Sequence, residues 1–208
     1  MELGRFIAFE GGEGVGKSTQ AKLLVAALEA RGIVCHLTRE PGGTNGAEAI
    51  RELLLHPPGE GWGAQAEALL FAAARADHVA RLIRPALAAG DWVICDRFVD
   101  SSRAYQGAAG ALGDAAVRTL HEIGSGGLLP DLTIVLAAPE DAVAARLAAR
   151  DGDRSDAIGG RDAAYHARVG AAFRAFAAEE PSRFILIEGD EDAGAIHARI
   201  IERVLALC

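Results

Sequence analysis

"RFIAFEGGEGVGKSTQAK", Arg5 to Lys22, sets an apolar run against a glycine turn and a helix-forming segment. Arg5–Glu10 reads as a strand, and Lys17–Ala30 as a helix closed by Gly32. Between them Gly11, Gly16, Lys17 and Ser18 satisfy G-x-x-x-x-G-K-[ST], in the strand-to-helix context that gives the spacing its meaning. Glycines let the chain curl until successive N–H groups point inward, and the positive end of the following helix adds to their field. Gly11, Gly12, Glu13, Gly14, Val15, Gly16, Lys17, Ser18 and Thr19 are therefore expected to hold the phosphates of a nucleoside triphosphate. Lys17 is expected on the β- and γ-phosphates, and Ser18 on Mg²⁺.

Further along, short apolar runs alternate with longer Ala/Leu-rich stretches. Val34–Arg39, Trp92–Asp96, Leu132–Ala137 and Phe184–Ile187 read as strands. Ala47–Leu55, Ala64–Ala89, Asp114–Ile123, Ala142–Ala149, Ala163–Ala178 and Ala193–Leu207 read as helices, with Pro85 placed to kink or divide the third segment. The alternation implies a three-layer α/β fold of the P-loop NTPase kind, a five-stranded parallel sheet with helices on both faces. With 208 residues and no dividing linker, one domain spanning 1–208 is expected. The glycine-rich stretches "GAAGALGD" and "RDGDRSDAIGG" are its expected mobile parts, the second within a lid at about 146–161.

A net charge of −8 argues against broad nucleic-acid or membrane-surface binding. No apolar run reaches the length of a membrane span, and "RFIAFE" leads directly into the glycine turn without a readable signal peptide. Three widely spaced cysteines, Cys35, Cys95 and Cys208, suggest reduced thiols in a cytoplasm. The sole asparagine, Asn45, is followed by Gly46, so the Asn-Lys-x-Asp segment of guanine recognition is absent. A small kinase remains.

The acceptor side is written in "VICDRFVDSSRAYQG", Val93 to Gly107. Asp96 and Arg97 close an expected central strand, where open α/β sheets gather their ligands. There Asp96 can hold Mg²⁺ or anchor Ser18, and the planar fork of Arg97 can grip a phosphate. Arg39 ends another strand at the same edge, and Arg51 follows on the next helix. Phe71 and Arg75, four apart, put a flat ring beside a guanidinium on one helical face.

Together "FEGGEGVGKST", "TREPGGT", "AEALLFAAARADH", "DRFVDSSRAYQG", "LPDLTIVL" and "RDGDR" make nearly the whole chain resemble the bacterial thymidylate kinases. The resemblance implies phosphoryl transfer from ATP to dTMP with Mg²⁺, by a homodimer. It implies that Phe71 stacks on thymine and that Arg75, Ser102 and Gln106 hydrogen-bond its polar edge. Tyr105 would pack against the deoxyribose, Arg39, Arg51 and Arg97 would hold the acceptor phosphate, and Glu13 would lie between acceptor and metal shell. Where some relatives carry a basic residue in the phosphate loop, this chain has Gly14. Compensating charge is expected from Arg150 and Arg154 in the lid. A P-loop kinase for another monophosphate or a small hydroxylated metabolite, and an ATP-dependent regulatory module, stay open as alternatives.

Overall fold

The computed structural model of the chain describes residues 4–139, 142–143, 157–189 and 191–207. β1 (Phe6–Glu10) is buried at every position, because a central parallel strand has a packed layer on each side. It pairs in parallel with β3 (Trp92–Asp96) on one side and β4 (Leu132–Ala137) on the other. β2 (Cys35–Arg39) and β5 (Phe184–Glu188) take the edges, giving the order β2-β3-β1-β4-β5. This is the expected five-stranded parallel sheet.

Alternate residues of each strand serve opposite layers. Ile7, Phe9, Ile94, Ile134 and Leu136 pack against α1 (Lys17–Glu29) and the last helix, α8 (Ala193–Leu205), through Leu24, Leu28, Ile196 and Ile200. Phe6, Ala8, Val93 and Cys95 face the other way, onto Val79, Ile83, Phe98 and Val117. A third cluster sets Val135 and Phe184 against Tyr105, Tyr165, Val169 and Phe173, closing the sheet beneath α7 (Ala163–Glu179). Caps fix the entries of several helices. Thr44 accepts from Ala47 N ahead of α2 (Asn45–Leu55), Asp162 from Tyr165 N ahead of α7, and Asp192 from Gly194 N and Ala195 N ahead of α8.

Two segments depart from the sequence expectation. Ala64–Ala89 is divided into α3 (Ala64–His78), a π-helical turn at Val79–Ile83, and α4 (Arg84–Ala89). Pro85 sits in the first turn of α4, and the wider turn before it accommodates a ring that lacks an N–H and crowds the carbonyl four residues back. After β3 the chain forms α5 (Val99–Ser102), which runs into a π-helical stretch at Arg103–Ala109 that periodicity did not announce. That stretch takes in Gly107, which is buried rather than part of a surface interruption. α6 (Asp114–Ser125) follows. Of the helix expected at 142–149, only 142–143 lies among the described residues, and both are helical.

Candidate active site

The glycine turn leaves the carboxyl end of β1 and crosses that of β4. Gly11 has φ 129°, and a Cβ there would lie 2.2 Å from the backbone oxygen of Leu136, so only glycine lets the turn begin. Lys17, at the start of α1, curls back over the turn and donates to Gly11 O at 3.3 Å and to Gly12 O. It is 8 % exposed. Burial, followed by the nearby Arg97 guanidinium, pushes its ammonium down to about 7, against the pull of Asp96, Glu13 and Glu10. Ser18 Oγ donates to Asp96 Oδ2 at 2.5 Å, since the register Phe9↔Asp96 sets the end of β3 beside the end of β1.

Behind the turn, Glu10 accepts from Phe98 N at 2.8 Å, Ser101 N at 3.0 Å and Ser101 Oγ at 2.6 Å. Burial and the charge of Asp100 still raise its carboxyl to about 7. Arg97 adopts a left-handed backbone, φ 70°, that a non-glycine residue holds only under strong constraint. Its Nη1 donates to Gly11 O at 3.0 Å and to Ser101 Oγ at 3.2 Å, and its Nη2 lies 3.6 Å from Glu13 Oε1. Its guanidinium carbon stands 5.1 Å from the centre of the Tyr105 ring. Burial opposes its charge, but Tyr105, Glu10, Glu13 and Asp96 overcome that and raise its pKa.

A cavity opens on this side, lined by Glu13, Glu40, Pro41, Arg51, Phe71, Arg75, Arg97, Ser101, Ser102, Tyr105, Gln106 and Ile158, with Leu55 and Phe98. Seven of the eight acceptor-side residues singled out in the sequence line it, though α2, α3, the residue after β3, α5 and the π-helical stretch supply them separately. Arg39 is the exception: its Nη2 donates to both oxygens of Glu48, at 3.0 and 3.1 Å, and it does not line the cavity. Arg51 Nη1 donates to Pro41 O at 2.8 Å. Arg75 is held on several sides: Nε donates to Glu40 Oε2 at 2.7 Å, and Nη2 to Ser102 Oγ at 2.9 Å and Phe98 O at 3.2 Å. The other Glu40 oxygen bonds His78 Nδ1 at 3.0 Å, while His78 Nε2 bonds Thr38 Oγ1 at 2.8 Å. Arg150 and Arg154 lie outside the described residues.

A glycine cradle with a lysine, a hydroxyl–carboxylate pair, and a cavity presenting arginines, an aromatic ring and an amide can serve two anionic ligands at once. The family model for thymidylate kinase matches residues 9–200. The chain belongs to the thymidylate kinase family. It is 58% identical over 204 residues to the thymidylate kinase of Rhizorhabdus wittichii, covering 98% of each chain. The match to that of Nitrobacter winogradskyi is 48% over 200 residues, covering 96% of this chain and 87% of the relative. Among solved structures, thymidylate kinase from Ehrlichia chaffeensis superposes with a TM-score of 0.78 at 29% identity, covering 97% of this chain and 99% of that one.

Sequence reasoning passed over several residues of this thymidylate kinase family site. Glu40 lies inside "TREPGGT" next to Arg39, and it is Glu40, not Arg39, that faces the cavity. Glu67 accepts from Gln106 Nε2 at 2.8 Å, and Arg161 Nη2 donates to its other oxygen. A carboxylate among Ala and Leu at an otherwise apolar helix position was the available signal for Glu67.

Proposed function

We propose that the chain transfers the γ-phosphoryl group of ATP to dTMP, releasing ADP and dTDP. The observation that carries the reading is that one cavity sets Phe71, Arg75, Arg97, Ser102, Tyr105 and Gln106 together beside the glycine cradle. Family membership along almost the whole length supports the same reaction.

In this reading an oxygen of the dTMP phosphate attacks the γ-phosphorus. The new P–O bond forms as the bond to the β–γ bridging oxygen breaks, and the electron pair leaves with ADP. The acceptor phosphate is near its dianion at neutral pH, its second pKa being about 6, so its oxygen is the nucleophile without help from a base. The chain must bring two polyanions together and neutralise them. Lys17 and the backbone N–H groups of Gly11 to Thr19 hold the ATP phosphates. Arg97 and Arg51 hold the acceptor phosphate, with Arg39 joining only if it leaves Glu48. Glu13, next to Arg97, orders the space between acceptor and metal shell. Phe71 stacks on the base, Tyr105 packs the sugar, and Arg75, Ser102 and Gln106 meet the base edge. Arg150 and Arg154 are proposed as lid arginines that neutralise charge on the transferring group, in place of the side chain Gly14 lacks.

Mg²⁺ belongs to the same proposal. Among the described residues no group of three His, Cys, Asp or Glu side chains could cage a metal. A hydroxyl and a carboxylate oxygen 2.5 Å apart at the cradle, Ser18 and Asp96, suit a hard cation that takes its other ligands from phosphate and water. Bound there, it would neutralise charge shared by the β- and γ-phosphates.

A cytoplasmic homodimer completes the reading. Among the described residues no helix is long and apolar enough to cross a membrane. Much of the Ala/Leu-rich face at Leu69–Leu87 belongs to the core, through Val79, Ile83 and Ala86. Leu69 on α3 and Ile123 on α6 remain 56 % and 80 % exposed and support an isologous contact, which sedimentation equilibrium checks. The reaction itself is tested by presenting dTMP, dUMP, dCMP, UMP and AMP with ATP and measuring ADP release. Turnover fastest with dTMP is expected. Preference for another monophosphate, or ATP binding without transfer to any, would reject the reading.

A further inference from the structure

The inference rests on the reading above and concerns how the base is told apart. Gln106 is 4 % exposed, lines the cavity, and donates through Nε2 to Glu67 Oε1 at 2.8 Å. An amide has two faces: turned one way it offers the cavity an oxygen, turned the other way an NH₂. A carboxylate can only accept, so a Gln106 side chain lying against Glu67 must aim its nitrogen there. Among the described residues no hydrogen bond engages Oε1. Glu67 is itself held, because Arg161 Nη2 donates to its second oxygen. Arg161 Nη1 donates to Tyr165 OH, which in turn donates to the backbone oxygen of Tyr105 at 2.7 Å. One guanidinium thus braces both the side chain that orients Gln106 and the backbone of its neighbour.

We propose that Glu67 and Arg161 are positioning residues that lock the Gln106 amide with its oxygen toward the base, and thereby favour a thymine edge over a cytosine edge. Thymine presents O4, an acceptor, beside N3–H, a donor; cytosine presents an amino group beside an unprotonated N3, the reverse pair. Arg75 keeps Nη1 unengaged among the described residues, a donor for O4, and Gln106 Oε1 accepts from N3–H. Against cytosine both pairs conflict: donor meets donor, and acceptor meets acceptor. Neither Glu67 nor Arg161 need touch substrate for this.

The test compares wild type, Glu67→Gln, Arg161→Met and Arg161→Lys, reading kcat/KM for dTMP and dCMP, KM for ATP, and Tm. A glutamine at 67 can accept or donate, so Gln106 can settle either way round. The ratio of dTMP to dCMP efficiency should fall about tenfold or more in Glu67→Gln, with KM for ATP unchanged. Arg161→Met should move the ratio in the same direction, and Arg161→Lys should restore most of it. A folded Glu67→Gln variant with the wild-type ratio overturns the proposal, including the case where both efficiencies fall together. Should that variant fail to fold, the ratio in Arg161→Met decides by the same criterion. A wild-type protein inactive on dTMP would instead bring down the functional reading, and this inference with it.

Discussion

Lys17 is an amine buried against the peptide oxygens of Gly11 and Gly12. With its pKa held at about 7, it is mostly neutral at pH 8 in the nucleotide-free chain. In the proposed reaction the ATP phosphates surround it with negative charge and restore the ammonium, so binding is expected to take up a proton. Uptake should approach about one proton at pH 8 and vanish below pH 6, where the lysine is already charged. ATP affinity should accordingly fall as pH rises from 7 toward 10. Titration calorimetry at pH 8 in buffers of different ionisation enthalpy measures this, and Lys17→Met should abolish it. Arg97 is a different case, a guanidinium that stays charged at every working pH and is held in a left-handed backbone. Arg97→Ala should lower kcat/KM for dTMP by about 10²–10³-fold, the loss expected when a charge clamp is removed. Wild-type efficiency in that variant would remove Arg97 from the acceptor phosphate.

At the scale of elements, the turn between β1 and α1 is specified by two glycines for different reasons. Gly11 has φ 129° and no room for a Cβ, which would meet the backbone of β4 at Leu136. Gly16 has φ 96°, but a Cβ there meets nothing within 4 Å. Gly11→Ala should therefore cost about 3 kcal/mol or more, combining strain with a backbone clash that no rotamer relieves. Gly16→Ala should cost about 1–2 kcal/mol, from backbone strain alone. Urea denaturation of the two nucleotide-free variants separates the contributions; equal losses would contradict the assignment. The π-helical stretch at Arg103–Ala109 shows the other side of element formation. Its residues carry no clean 3.6-residue periodicity, and its hydrogen bonds run to i+5 and beyond, as in Gly110 N to Tyr105 O at 2.8 Å. The motif was legible there; the helix was not.

Across the whole molecule, the site is braced by an ionic group whose members are drawn from distant parts of the sequence. Asp100, fully buried in α5, accepts from Arg103 Nη1 at 2.8 Å and from Arg183 Nη1 and Nη2 at 2.6 and 3.1 Å. Arg103 reaches Asp114 on α6 and Glu180 at the end of α7, and Arg183 also donates to Thr133 on β4. Burial works to raise the Asp100 pKa, but the two guanidiniums outweigh it and hold the carboxyl below the usual range. Its stabilisation is therefore present above the ordinary carboxylate pKa and lost as pH falls through the depressed one. Asp100→Ala strands two buried or nearly buried arginines and should cost about 3–5 kcal/mol in urea denaturation at pH 7, with an unchanged m-value. A loss below about 1 kcal/mol would mean that Asp114 and Glu180 suffice.

What the chain order determined by itself was local: strands written as short apolar runs, the glycine turn feeding a helix, and a run from Asp96 to Gln106 dense in charged, hydroxyl, aromatic and amide side chains. Those signals survive in one dimension because apolar runs, turn geometry and helix propensity act over a few neighbouring residues. Tertiary structure alone decided direction and partnership. It turned Arg39 onto Glu48 and Glu40 into the cavity, and it set Arg161 against Glu67 across 94 positions of sequence. A charged side chain follows the nearest opposite charge in space, and only the closed sheet and its packed helices say which charge that is.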